Sequence, residues 1–231
     1  MHRKPKSAGL TMYQLQFRDV LSAWNLFLDG LLLTLGLSGI ALGGGLLLGI
    51  AVAVTRVYGP GWAARTVSVY IEVIRNTPLL VQLFTVYFGL PSLGIRIPGL
   101  YAAMICFVIY LGAYLAEIIR AGIEAVPQSQ KEAGACLGLS GYQVFRYVVL
   151  VPAIKDMFPA LASQFVFFML STSVVSQIAV SDLFHMGSIV QAMTYRDFEI
   201  YLLIGALYLA LALLFRAGFA TIYLLCFGGD E

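Results

Sequence analysis

Charged residues are scarce in this chain. They make up 11% of its 231 residues, whereas hydrophobic residues make up 60% and the mean hydropathy is +0.88. A water-soluble domain carries roughly 25% charged residues to keep its surface hydrated. The composition therefore excludes a soluble globular domain and indicates that most of the surface faces lipid. The net charge of +2 is too small to indicate a nucleic-acid partner.

The chain also lacks the motifs of several enzyme classes. It contains no G-x-x-x-x-G-K-[ST] segment, so ATP is not bound by that phosphate cradle. His2 and His185 stand alone, which leaves no metal-ligand cluster and no Ser-His-Asp site with a nucleophile elbow. Cys106, Cys136 and Cys226 lack C-x-x-C spacing and are predicted to be free thiols. We therefore expect neither catalysis nor a cofactor or metal.

Long uncharged runs predict membrane-spanning helices, because about 20 mostly apolar residues are needed to cross the hydrocarbon core. An all-α integral membrane bundle is predicted, with five spans at about 31–54, 67–89, 100–119, 159–184 and 200–223. An odd number of spans places the termini on opposite sides of the membrane. The cationic start of the chain is typical of a signal peptide. The first apolar run is too long for one and lacks a small-x-small cleavage site, so we expect it to be retained.

The distribution of Lys and Arg indicates the orientation. Seven of these residues lie on the side that holds the 130–159 segment, against two on the other side, or six when the N-terminal tail is counted. Lys and Arg are enriched in cytoplasmic loops, so the balance favours a cytoplasmic 130–159 segment. The predicted organisation is an extracytoplasmic tail at 1–30 with the composition of an interfacial helix, a membrane domain at 31–223 and a cytoplasmic tail at 224–231.

The 130–159 segment is amphipathic chain between two spans. Helix-forming residues around Glu132 are followed by Gly138, and Ser140 with Gln143 has the spacing of a capping box. Two short helices at an angle are therefore predicted, with small residues at 133–135 that would allow another backbone to approach closely.

A helical stripe follows in the same segment. Val144, Tyr147, Val148 and Val151 recur at the spacing of one helix face, and Pro152 is expected to break this helix before the fourth span. Amphipathic chain held between membrane spans presents a surface to something in water.

The segment resembles the EAA motif of the membrane-spanning permease subunits of polar amino acid ABC transporters. That pattern is Glu-Ala-Ala, three residues, Gly, and an apolar run that ends in Leu-Pro. Glu132-Ala133-Gly134 followed by Gly138-Leu139 matches it, with Gly134 in place of the second Ala. Leu150-Val151-Pro152 departs from it, because the proline comes one residue later.

The resemblance extends over about residues 30–219. The segments that carry it are 75–82 (RNTPLLVQ), 113–123 (AYLAEIIRAGI), 126–133 (VPQSQKEA) and 172–176 (TSVVS). It implies the fold of the type I ABC importer permeases, a five-span bundle with cytoplasmic coupling helices. In that family the motif couples to a separate ATPase, which here implies a coupling role for Glu132, Ala133, Gly134, Gly138 and Leu139.

The resemblance also implies the partners. They are two copies of an ABC ATPase, a second permease that is identical or a sister chain, and an extracytoplasmic solute-binding protein that delivers the amino acid. The setting is the lipid bilayer of the bacterial cytoplasmic (inner) membrane, with the N-terminus outside and the C-terminus in the cytoplasm. Closure of the ATPase dimer would move the coupling helices and switch the side to which the central cavity opens.

Polar residues inside the spans are candidates for the substrate path, because a charge in the membrane is costly unless it is paired or lines a cavity. The candidates are Arg75, Thr77, Pro78, Gln82, Glu117, Gln164, Thr172 and Ser173. Alternatively, Glu72 with Arg75 and Glu117 with Arg120 form pairs within one helix. Ser and Thr hydroxyls can likewise bond to their own helix backbone. Pro78 is expected to bend the second span and free a carbonyl.

Two positions bear on the identity of the substrate. Many members of the family have a Lys two residues before the Thr-Ser element, where this chain has Leu170. Gln164 replaces a common Asn, as in members that resemble acidic amino acid permeases. We therefore favour glutamate, aspartate or glutamine. The alternatives are a permease of the same architecture for an opine or another amino acid derivative, and a stand-alone secondary transporter or channel.

Overall fold

The computed structural model describes residues 15–228, and almost all of that range is helical. The helices described within it are α1 (Phe17–Ser22), α2 (Trp24–Tyr58), α3 (Gly61–Arg75), α4 (Leu79–Ser92), α5 (Gly99–Ala125), α6 (Gln128–Cys136), α7 (Gly141–Gln143), α8 (Leu150–Ser171), α9 (Leu183–Thr194) and α10 (Asp197–Phe227). A π-helical stretch at Val144–Val149 joins α7 to α8, and a 3-10 helix at Thr172–Ile178 follows α8. The predicted all-α class is confirmed.

The described helices provide four single membrane spans and one broken span. α2, α5, α10 and the continuous Gly141–Ile178 stretch are each long and apolar enough to cross a bilayer. α2, α5 and α10 contain the predicted spans 31–54, 100–119 and 200–223 in full. α3 and α4 qualify only as a pair, and they are bent by 103° at the break between them. Five crossings result when the bent pair is one span, as predicted.

The second span differs from the prediction because Pro78 does not lie inside a bent helix. α3 ends at Arg75, and Pro78 directly precedes α4 with a φ of −58°. A proline has no N–H to continue the helix and pushes the residue before it out of the helical region. The helix therefore stops at Arg75, and α4 begins at Leu79 at nearly a right angle to α3.

The fourth span begins and ends earlier in the chain than the predicted limits of 159 and 184. Helical structure runs without interruption from Gly141 through Pro152, so the expected break at Pro152 is wrong. Pro152 lies in the first turn after the π-helical stretch, where the change in hydrogen-bond register accommodates a residue without an N–H. The 3-10 helix then ends at Ile178, before the predicted limit of 184.

The π-helical stretch also changes which side chains face the protein. Tyr147 and Val151, expected on one apolar face, are 68% and 50% exposed, whereas Val149 is buried. A π-helical turn is wider than the 3.6-residue turn on which the predicted stripe depends. The expected stripe therefore holds for Val144 and Val148, which are half-buried, and is wrong for Tyr147 and Val151.

An unpredicted helix, α9, follows the 3-10 helix. Asp182 starts it by accepting a hydrogen bond from the His185 N–H at 2.9 Å. The same carboxylate accepts a bond from the Tyr208 hydroxyl at 3.3 Å, and the Leu183 N–H donates to Thr34 Oγ1 at 3.1 Å. These bonds connect α9 to both α2 and α10.

Small residues along α2 form the centre of the bundle. Ala41, Gly45, Gly49 and Ala53 recur every four residues and are all buried. A Cβ atom on Gly45 would lie 3.1 Å from the Leu111 Cβ atom of α5, and one on Gly49 would lie 3.0 Å from the Leu115 Cβ atom. Helices in membranes pack closely over such small residues. Because both contact positions advance by four, α2 and α5 run in the same direction, as the first and third spans must.

The N-terminal segment packs against the start of α10. Val20 of α1 is fully buried, the Gln16 N–H donates to Glu199 Oε1 at 2.9 Å, and Arg196 donates to Gln16 Oε1 at 2.7 Å. α2 starts at Trp24, within the predicted 1–30 tail. The basic residues at the start of that tail and the end of the predicted C-terminal tail lie outside the described range.

Candidate functional site

A two-helix hairpin follows α5. Its first arm is α6, its second arm is α7 with the π-helical stretch that ends at Val149, and the turn between the arms is closed by backbone hydrogen bonds. Gly138 has a φ of +82°, its N–H donates to Ala135 O at 3.0 Å, and the Leu139 N–H donates to Gly134 O at 3.2 Å. This pair of bonds is a Schellman motif, which requires a left-handed residue and therefore favours glycine. The glycine six residues after Glu132 thus ends α6 and sets the direction of the turn.

The second arm of the hairpin starts directly after the turn. The Gln143 N–H donates to Ser140 Oγ at 3.4 Å, and the Ser140 N–H donates to Gln143 Oε1 at 2.8 Å. Both halves of the predicted capping box are present, so this prediction is confirmed. Because α7 continues through the π-helical stretch into α8, a displacement of the hairpin is transmitted directly to a membrane span.

Gly134 brings the two arms together. It is buried, and a Cβ atom on it would lie 3.3 Å from Cγ2 of both Val144 and Val148. The close neighbours of Gly134 are therefore side chains of the other arm. Ala133 is exposed.

The hairpin exposes large apolar side chains. Leu137, Tyr142 and Tyr147 are 82%, 74% and 68% exposed, and Glu132 is exposed on the same hairpin with a hydrogen bond from Gln128 at 3.2 Å. Exposed aromatic and leucine side chains grouped on one short element are typical of a protein docking surface. Leu137 and Tyr142 are not among the predicted residues, and the only sequence signal for them is their position on either side of the Gly138 turn.

The inner side of the hairpin lies against the end of α2. The rings of Tyr58 and Phe145 meet edge to face with their centroids 5.7 Å apart. Half-buried Leu139 lines the same cleft as these two aromatic residues. The hairpin is thus attached to two spans, α2 by packing and α8 by continuity of the helix.

A polar cavity lies where α2, α3 and α5 meet. Its volume is about 390 Å³, and it is lined by Arg56, Ile71, Glu72, Arg75, Asn76, Tyr114 and Glu117. Arg56 Nη1 lies 2.6 Å from Glu117 Oε2, and Arg120 Nη2 lies 2.5 Å from Glu117 Oε1. Glu117 therefore pairs with cations from two helices. Of these two cations, Arg56 is not predicted, because a partner 61 positions away leaves no local signal.

Arg75 does not pair with Glu72. Its guanidinium carbon lies 5.2 Å from the centroid of the Tyr114 ring, whose hydroxyl donates to the Arg75 carbonyl at 3.4 Å. An ion pair within one helix, the alternative considered for both pairs, is thus wrong for Glu72 with Arg75 and right for Glu117 with Arg120. Glu72 and Arg75 line the cavity without an ion-pair partner among residues 15–228.

The polar residues at the α3–α4 break bond to the backbone. Gln82 Nε2 donates to the carbonyls of Ile74 and Thr77, each at 2.8 Å, and Thr77 Oγ1 donates to the Val73 carbonyl at 2.8 Å. These bonds satisfy carbonyls that have no helical partner once α3 stops. The structure therefore gives Thr77, Pro78 and Gln82 a role in shaping the break.

The polar candidates on the fourth span divide into two groups. Thr172 Oγ1 donates to the Met169 carbonyl at 2.7 Å, and Ser173 Oγ donates to the Leu170 carbonyl at 3.1 Å, so both bond to their own helix. Gln164 differs, because its buried Nε2 has no hydrogen-bond partner in the described part of the chain. A buried donor without a partner is costly, so this amide is available to a bound molecule.

A bundle of apolar spans with a capped, exposed hairpin defines the class of the chain as an all-α integral membrane protein. The chain belongs to the family of inner membrane components of binding-protein-dependent transport systems, which matches residues 45–223. It is therefore a multi-pass inner membrane protein and a transport subunit rather than a catalytic one.

Named relatives cover most of the chain. The probable glutamine ABC transporter permease protein GlnM of Bacillus subtilis (strain 168) is 37% identical over 193 residues, which are 82% of this chain and 88% of that protein. The glutamine transport system permease protein GlnP of Escherichia coli (strain K12) is 36% identical over 203 residues, 87% of this chain and 92% of that protein.

A solved structure has the same fold. The crystal structure of an amino acid ABC transporter with histidines contains a chain that is 38% identical and superposes with a TM-score of 0.86. The superposition covers 91% of this chain and 99% of that chain. The predicted fold, that of a type I ABC importer permease, is confirmed.

Proposed function

We propose that this chain is the permease subunit of an ATP-driven importer for a polar amino acid, with glutamine, glutamate or aspartate as the cargo. Two relatives named for glutamine transport match it over most of their length, which supports this substrate class. The observation that carries the ATP-driven mechanism is the hairpin. It exposes Leu137, Tyr142 and Tyr147 in a chain that lacks the G-x-x-x-x-G-K-[ST] motif.

The working unit we propose contains two ATPase copies, this chain with a second permease, and an extracytoplasmic solute-binding protein. One ATPase binds the hairpin at residues 132–139. Glu132, Ala133 and Gly138 are exposed to contact it, whereas Gly134 and Leu139 hold the hairpin together and against α2. Closure of the ATPase dimer then tilts α8 and α2 together, since the hairpin is attached to both.

The proposed orientation follows from the hairpin. An ATPase acts in the cytoplasm, so the hairpin and the C-terminal end of α10 lie there, and five crossings place the N-terminus outside. The tail at 1–30 then lies on the extracytoplasmic side, the membrane domain at 31–223 lies within the bilayer, and the C-terminal tail at 224–231 lies in the cytoplasm. In this orientation Gln16 and Glu199 hold the N-terminal segment on the outer face.

The polar cavity suits a zwitterionic substrate. Arg75 can bind a carboxylate, and Glu72 or Glu117 can bind an ammonium group, in a space of about 390 Å³. Gln164 adds a free amide donor on the fourth span. We therefore keep Arg75, Glu117 and Gln164 as substrate-path residues. Thr172 and Ser173 bond to their own helix backbone, Thr77 and Gln82 bond to the backbone at the break, and Pro78 ends the helical hydrogen bonding there.

Transport in liposomes tests the proposed function. The permease with its genomically adjacent ATPase and binding protein should accumulate radiolabelled glutamine only when ATP is supplied. The permease alone should show no flux above that of empty liposomes. Full-rate movement down a gradient by the permease alone would establish a secondary transporter or channel. Competition by an opine, and not by glutamine, glutamate or aspartate, would move the substrate to the amino acid derivatives.

A further inference from the structure

A lateral groove between α8 and α10 contains a charged side chain in a long apolar helix. The stretches 200–215 and 217–228 contain no charged residue, so Arg216 is the one charge in that part of α10. It is exposed and has no ion-pair partner within residues 15–228. An arginine at membrane depth is costly unless an anion or water accompanies it. The structure of the chain therefore leaves this charge to be neutralised from outside.

The groove beside Arg216 has the shape and chemistry of a lipid site. Its volume is about 390 Å³, and small or apolar side chains of Pro159, Ala162, Val166 and Ala220 line it. Tyr223 lines the same groove one to two turns beyond Arg216 along α10. An apolar channel with one cation matches a molecule that has an anionic head and a hydrocarbon chain.

Arg216 lies within about two turns of the headgroups of one leaflet. α10 has 31 residues and is about 46 Å long, which exceeds a hydrocarbon core of about 30 Å. About 20 helical residues cross the hydrocarbon core, so a crossing that starts at Glu199 ends near Phe219, one turn beyond Arg216. On α8 the charges at 155–156 directly precede Phe158, whose ring centroid lies 6.2 Å from that of Phe219. The Phe158 ring also lies 5.9 Å from that of Tyr223 and 6.2 Å from that of Phe227, so α8 places the boundary near Tyr223, about two turns beyond Arg216. A long arginine side chain that points along the groove toward this boundary shortens the distance.

We propose that this groove binds an anionic phospholipid of the cytoplasmic leaflet, with its phosphate on Arg216 and one acyl chain between α8 and α10. A guanidinium donates two parallel N–H bonds to phosphate oxygens and keeps its charge at any physiological pH. The cytoplasmic leaflet carries the anionic lipids, and basic pockets between helices on that side bind their headgroups. The Tyr223 hydroxyl supplies a second donor at headgroup level.

The choice of leaflet rests on the orientation proposed above, whereas lipid binding itself does not depend on transport. Binding can therefore fail while the importer works, and the importer can fail while the lipid binds. A site of this kind would link α8, which carries the hairpin, to α10. Lipid occupancy would then stabilise one relative position of these two helices.

Native mass spectrometry of the purified full-length chain tests lipid binding. The probes are phosphatidylglycerol and phosphatidylcholine with identical acyl chains, and soluble glycerol phosphate as the headgroup alone. Wild type should retain phosphatidylglycerol about fivefold better than phosphatidylcholine, the ratio expected for one basic residue near an anionic surface. Arg216→Gln should reduce this ratio to about one, and Arg216→Lys should keep most of it. Glycerol phosphate alone should not bind, because the acyl chain contributes most of the affinity.

Matched variants show whether the groove itself is the site. Arg96→Gln removes the same charge from the loop after α4 and should leave the lipid ratio unchanged. Ala220→Trp fills the groove and should lower retention of both lipids. An unchanged ratio in Arg216→Gln would overturn the lipid site. So would a disulfide between two copies through Ala220→Cys, made in a chain without Cys136 and Cys226, because the groove would then be an interface between permeases.

Discussion

Asp182 is a fully buried carboxylate at the junction of α2, α9 and α10. Burial raises the pKa of this carboxyl from 3.8 to about 6, and hydrogen bonds from the N–H groups of His185 and Phe184 and from the Tyr208 hydroxyl oppose the rise. The residue lies between two membrane spans and outside both. His185 and Tyr208 are the titratable groups that face it from α9 and α10.

Asp182→Asn should reduce the pH dependence of stability. Because the folded pKa lies above the ordinary value, the folded protein keeps a proton that the unfolded chain releases between pH 4 and 6. The wild-type melting temperature should therefore fall as the pH rises through that window, and each unit of pKa shift corresponds to about 1.4 kcal/mol. Asparagine keeps the cap on α9 without the charge. Melting curves from pH 4 to 7 measure the difference, with Asp156→Asn, at an exposed position, as the control. Parallel curves for wild type and Asp182→Asn would contradict the expectation.

Local chemistry predicts single residues well when their partners are close in the chain. Gly138 and the Ser140–Gln143 pair are predicted from spacing alone and confirmed by the turn and the capping box. Arg56 and Glu117 are 61 positions apart, and no local pattern indicates that they meet. Asp182 falls at the end of the predicted fourth span, and no local pattern indicates its contacts, because its burial depends on α2 and α10.

At the scale of elements, the hairpin is an independent unit with its own hydrogen-bonded turn. Its two arms are predicted, but its continuity with α8 is not. Proline normally ends a helix, and the π-helical stretch that lets the chain pass Pro152 has no reliable sequence signature. The break after α3 is the opposite case. A bend is predicted at Pro78, whereas the helix ends there, because the side chains of Thr77 and Gln82 bond to backbone carbonyls at the break.

Gly138→Val should uncouple the transporter without preventing membrane insertion. A β-branched residue at a φ of +82° is strained by about 1–2 kcal/mol, so the turn should open and the docking surface should lose its shape. We expect stimulated ATP hydrolysis in the reconstituted complex to fall at least tenfold. Gly141→Ala is the matched control, because Gly141 has open space around its Cβ position and no positive φ. Wild-type stimulation by Gly138→Val would exclude the hairpin as the coupling element.

At the scale of the whole molecule, α2 connects α5, α9 and the hairpin. Its small-residue face lies against α5, its C-terminal end bears Arg56 and the Tyr58 contact to the hairpin, and Thr34 accepts a hydrogen bond from α9. Closely packed helices move as rigid bodies, so a push on the hairpin is transmitted along this pair rather than absorbed.

Gly49→Leu should loosen the whole bundle. A Cβ atom at this position already lies 3.0 Å from the Leu115 Cβ atom and 3.2 Å from the Gly112 carbonyl oxygen, so a larger side chain forces α2 and α5 apart. A loss of about 2–3 kcal/mol should lower the melting temperature by roughly 5–10 °C. Gly43→Leu on the exposed face of α2 has open space and should change little. Equal melting temperatures for the two variants in detergent would show that the contact between α2 and α5 does not stabilise the bundle.

The sequence by itself determined the class of the protein. Its hydropathy requires a membrane, its uncharged runs define the spans, and the Glu132-to-Gly138 spacing with the Ser140 cap defines the hairpin. These are local properties that short stretches of chain carry. Only the tertiary structure decided which side chains meet across helices: Arg56 with Glu117, Asp182 with Tyr208, and Arg216 with an apolar groove. It also decided that Pro78 ends a helix while Pro152 does not, because neighbouring side chains and a change in hydrogen-bond register govern what a proline does.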